Sequence, residues 1–76
     1  MSIKFMLLKA TKKSFEGELA ESEANMEVYL ENSSGVGEHS DIIAEIKDLV
    51  QKIHDAKGCI EIVDERINST DLRGDI

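Results

Sequence analysis

From Ser40 to Ile67 the apolar residues obey one spacing rule. Ile42, Ile46, Leu49, Ile53, Ala56, Ile60, Val63 and Ile67 follow one another at alternate steps of four and three. That alternation is the signature of a helix with a continuous apolar seam, held here for nearly four heptads. Ile43 and Val50 lie beside the seam and widen its first half, as in a helix that faces more than one neighbour. The start is marked too: Ser40 can accept a hydrogen bond from an unpaired first-turn amide, and Asp41 suits the positive end of the helix dipole. Gly58 falls on the face opposite the seam and costs the helix about 1 kcal/mol relative to alanine. It marks either a soft spot or a close approach of another backbone. Beyond Ile67, "NSTDLRGDI" loses the pattern and gains turn formers, so residues 69–76 are expected to form a disordered tail.

The first half of the chain follows the same alternation less cleanly. Met1, Phe5, Leu8, Lys12, Phe15, Leu19, Ser22, Met26 and Tyr29 occupy its positions, with Ala20 and Leu30 alongside, and only Lys12 and Ser22 interrupt the apolar series. This predicts a second helix ending near Asn32, where Ser-Ser-Gly follows as a stop signal. Charge opposes it. Lys4, Lys9, Lys12 and Lys13 crowd the N-terminal end, while Glu16, Glu18, Glu21, Glu23, Glu27 and Glu31 fill the remainder, an order unfavourable to the dipole of one continuous helix. Either the helix starts near Thr11 or Ser14, or packing overrides the dipole. An antiparallel fold supplies the packing, because it lays the lysines beside Asp55, Glu61, Asp64 and Glu65. One long helix is therefore the expectation.

The predicted architecture is all-α: a helical hairpin domain over residues 1–68, with helices at about 3–32 and 40–67 and a loop at 33–39. Two helices of about 28 residues, each roughly 42 Å long, cannot cover each other's apolar faces fully. The expected completion is a four-helix bundle formed by a homodimer, or a higher oligomer, with Ile42, Ile46, Leu49, Ile53, Ile60 and Val63 as the oligomer seam.

Composition strengthens that expectation. A chain of 76 residues has little interior, and the lone Cys59 excludes an intrachain disulfide as support, which leaves self-association as the leading source of stability. Nine basic against sixteen acidic side chains give a formal net charge of -7, with Phe5, Phe15 and Tyr29 the aromatic residues. Such a surface repels a phosphate backbone and offers little for base stacking, so direct nucleic-acid binding is not expected. The longest run of large apolar residues, Phe5 to Leu8, is too short for a membrane span or a signal-peptide core. A cytoplasmic protein is the expectation.

Candidate chemistry concentrates in "GVGEHSD", residues 35–41, where Gly35, Gly37, Glu38, His39 and Asp41 stand together. Gly35 and Gly37 precede a helix N-terminus, which attracts anions. A dinucleotide fingerprint, however, needs a preceding strand and a third glycine where Ser40 stands, and a P-loop needs Gly-Lys-Ser/Thr. Glu38, His39 and Asp41 are metal-ligand types, yet His54 sits at a solvent-facing heptad position with Gln51 three residues before it. That breaks the Glu-x-x-His pattern of a di-iron bundle, and a zinc site of the Cys/His type lacks its cysteines. Neither a metal nor a cofactor is expected. A structural hinge explains the glycines by backbone sterics alone. It leaves Glu38 and His39 over as candidates for an exposed contact, or for a ligand or ion held where subunits meet. Cys59 reads as a small, partly buried hydrophobe, and "RGD" at residues 73–75 as chance.

The stretch "YLENSSGVGEHSDIIAEI", Tyr29 to Ile46, resembles small uncharacterised proteins of large tailed bacteriophages. In these, Gly-Val/Ile-Gly-Glu-His-x-Asp-Ile/Leu joins two helices and proline often stands where this chain has Ser40. The resemblance implies a phage or phage-like product acting in the bacterial host cytoplasm, and no activity. Two histidines and one cysteine without visible partners do not make a nucleophile and base, so an enzyme is not expected. The expected function is protein–protein interaction, with itself and with an unknown host or phage protein, by an accessory or host-modulating factor. The alternative is a ligand- or ion-binding module built on the glycine loop.

Overall fold

The computed structural model describes residues 2–32 and 41–74. Two helices account for nearly all of them: α1, Ile3–Asn32, and α2, Asp41–Gly74, packed against each other along their length as a helical hairpin. The Cα framework measures 60 × 15 × 13 Å, one helix thick in each direction from the seam, so few side chains can be fully enclosed.

α1 is one continuous helix despite its charge order. Ser2 caps it: the Ser2 hydroxyl accepts a hydrogen bond from the Phe5 amide at 3.1 Å, and the Ser2 carbonyl accepts one from the Met6 amide at 3.1 Å. Two of the orphan first-turn donors are thereby satisfied. Thr11, a possible start, lies in the helix interior, its hydroxyl donating back to the Leu7 carbonyl at 2.8 Å. The lysine-rich end gains what the dipole denies it from Asp64 of α2, which accepts an ion pair from Lys12 at 2.7 Å. The Lys9 ammonium also lies 5.6 Å from the centre of the Phe5 ring.

The seams fall where the spacing puts them. Phe5, Leu8, Lys12, Phe15, Leu19, Met26 and Tyr29 of α1 are half-buried and Ser22 is buried; in α2, Leu49, Ala56 and Val63 are buried and Ile42, Ile46, Ile53, Ile60 and Ile67 half-buried. In a chain of two helices that burial comes from the other helix. The residues expected to form an oligomer seam therefore face α1 within one chain.

α2 differs from expectation at its end. It runs to Gly74 rather than stopping near Ile67, so residues 69–74 continue the helix instead of forming a tail. Asn, Ser, Thr and Asp are poorer helix formers than alanine by only about 0.5–0.7 kcal/mol each, and no proline interrupts them. A helix already nucleated gains one hydrogen bond for each residue it adds.

Candidate functional site

Of the loop candidates, Asp41 is the first residue of α2, exposed and in the first turn, where its charge meets the positive end of the dipole. Gly35, Gly37, Glu38, His39 and the Ser40 cap lie outside the described residues. His54 is solvent-facing as the heptad requires, its side chain 85% exposed and its Nδ1 3.3 Å from the Asp55 carboxylate beside it. Cys59 is a free, half-buried thiol. Among the described residues no cluster of three or more histidine, cysteine or acidic side chains is arranged to hold a metal.

Where α1 and α2 meet, small side chains leave notches. Ser22 and Ala56 occupy seam positions that larger residues would fill, and beside them opens a shallow groove of about 390 Å³, with Phe15 and Leu49 in its walls and Cys59 at one end. Glu18, Glu21, Asp55 and Lys52 stand around it. A second groove, of about 290 Å³, lies at the other end of the hairpin between Phe5, Lys9, Lys12 and Lys13 on α1 and Asp64, Ile67 and Asn68 on α2. There the Lys12–Asp64 pair raises the lysine pKa above its ordinary value, first through the direct hydrogen bond, against a smaller opposing effect of desolvation. Both partners remain substantially solvated, so the pair orients the helices more than it stabilises them.

The more informative surface is outside the seam. Ile3, Met6 and Leu7 of α1 are 69%, 51% and 62% exposed, and Ile43 and Ile62 of α2 are 64% and 61% exposed. The chain exposes 5885 Å². A compact monomer of its 8.5 kDa mass exposes about 4,700 Å², so the excess is about 1,200 Å². The elongated shape, 60 × 15 × 13 Å, accounts for an excess of this kind, and part of the surface it leaves open is apolar. Sequence reasoning anticipated Ile43 and Val50 as a second contact edge but missed the apolar residues on the outer side of α1. They lie off the four-three alternation, although Met6 and Leu7 belong to the longest run of large apolar residues in the chain.

No helix of the described residues is long and apolar enough to cross a membrane. Comparison with protein-family models, with curated proteins and with solved structures found no match.

Proposed function

We propose that the protein is a non-enzymatic helical hairpin that works by protein–protein contact and completes its hydrophobic interior by self-association. The observation that carries the reading is the set of large apolar side chains left on the outer faces of both helices, on a surface well beyond that of a compact chain of this mass. Acidic side chains stand beside Val28, Leu30, Ile43 and Ile62, while Ile3, Met6 and Leu7 stand among lysines. A dimer or higher oligomer would cover the apolar part and present the carboxylates to a second protein. The resemblance of Tyr29–Ile46 to phage proteins extends the proposal to its setting, an accessory or host-modulating factor acting on a host or phage protein.

A native mass spectrum over a concentration series tests it. A bare dimer or higher oligomer is the expected result. A bare monomer at every concentration would overturn the proposal. Extra mass retained by wild type and lost in His39→Ala would transfer the function to the glycine loop as a ligand site.

A further inference from the structure

The outer face of α1, turned away from α2, carries its own order. Ile3, Ala10, Gly17, Ala24 and Glu31 recur at every seventh position, with Met6 and Leu7 flanking the first of them, and all seven are exposed. A residue every seventh position keeps to one line along a helix, so this is a second contact line, narrow and mostly small, opposite the seam. We propose that two copies of the chain associate along it, α1 against α1 and antiparallel, with the two-fold axis at Gly17. The proposal rests on the self-association reading above and names the surface and the direction.

Charge sets the direction. Lys4, Lys9 and Lys13 occupy the first half of α1, and Glu23, Glu27 and Glu31 the second. Parallel copies would lay lysine beside lysine and glutamate beside glutamate. Antiparallel copies lay each basic half against an acidic one. The same arrangement answers the dipole conflict at both ends of α1, which has no acid in its first turn and no base in its last: the partner's glutamates approach the positive end and its lysines the negative end. α2 relieves only the first of these conflicts, through Asp64, because its own beginning carries Asp41, Glu45 and Asp48.

Size sets the register. Gly17 stands at the middle of α1, and a Cβ built there meets nothing within 4 Å, so the hairpin itself does not require a glycine. A two-fold through that point brings Gly17 onto Gly17 of the partner subunit and Ala10 onto Ala24 of the partner subunit. Small residues at each crossing let two helices approach to the short end of the usual range, about 8 Å between axes. The flank positions then set Leu7 against Val28 of the partner subunit.

Disulfide trapping tests the geometry in a Cys59→Ser background. Chains carrying Ala10→Cys are mixed with chains carrying Ala24→Cys and oxidised. Within one chain the two positions lie roughly 21 Å apart along the helix and cannot join. The expected product is the mixed disulfide, well above either homodimeric one. A predominance of Ala10→Cys homodimers, or dimers that trap neither position, would overturn this interface while leaving self-association in place; a single-chain mass throughout would overturn both. As a second readout, Lys9→Glu with Lys13→Glu should weaken the dimer about tenfold or more, and adding Glu23→Lys with Glu27→Lys should restore it. Equal association in all these charge variants would contradict the antiparallel pairing.

Discussion

α1 and α2 share one seam but divide its burdens unequally. α2 supplies the buried Leu49, Ala56 and Val63, opens with an acidic residue in its first turn, and leaves Ile43, Val50 and Ile62 exposed outside its stripe. α1 places Lys12 and Ser22 in its seam, carries Ile3, Met6 and Leu7 on its outer side, and runs its charges against its own dipole. A helix with apolar residues on two faces has room for a second neighbour. The difference is one of degree: both helices leave large apolar residues outside the hairpin, and α1 gathers three of them in its first two turns. The proposed pairing makes α1 the inner helix of the assembly.

Leu49→Ala should break the comparison most severely. It removes a buried side chain from the α2 seam, and losses of about 2–5 kcal/mol are usual for such a change, enough to unfold a marginal chain, as urea denaturation would record. Next in size, Ser2→Ala should cost about 1 kcal/mol through the lost cap, with accelerated amide exchange confined to the first turn of α1.

The two mid-helix glycines sharpen the contrast further. A Cβ at Gly58 meets nothing within 4 Å, so Gly58→Ala should raise thermal stability by about 0.5–1 kcal/mol at every protein concentration. Gly17→Ala should give a similar gain in dilute protein and lose it as concentration rises, if α1 is the inner helix. Equal gains at high concentration would remove the distinction.

The smallest effect concerns pH. The Lys12 pKa is raised in the folded state, so its contribution is complete below the ordinary lysine range and is lost only as pH climbs through the raised value. Asp64→Asn should therefore differ from wild type equally between neutral pH and the lower edge of the lysine range. The difference should shrink only in stronger alkali.

The hairpin was legible because its seam is written in large apolar residues at heptad spacing, and Ile42 to Ile67 falls on the buried side position by position. The antiparallel sense was legible in charge, since the lysines of α1 required acids opposite them, and Lys12 finds Asp64. Other features left weaker traces. Ser2 is inconspicuous as a cap because Lys4 follows it where a helix start usually carries acids. The end of α2 is masked in the sequence by turn-forming residue types, through which helix propagation continues to Gly74. The outer line of α1 escaped because alanine and glycine have almost no hydropathy signal; their meaning lies in what they allow to come close. Of the loop candidates, only Asp41 falls within the described residues.

Sedimentation equilibrium of wild type beside Gly17→Leu tests the inner-helix assignment most directly. The hairpin has room for the added side chain, so the variant should keep or increase its helical circular dichroism. Wild type should be dimeric, and the variant should dissociate about tenfold or more readily, since overpacking a tight contact typically costs 1–3 kcal/mol. A monomeric wild type, or a Gly17→Leu protein that associates as tightly as wild type, would contradict the account.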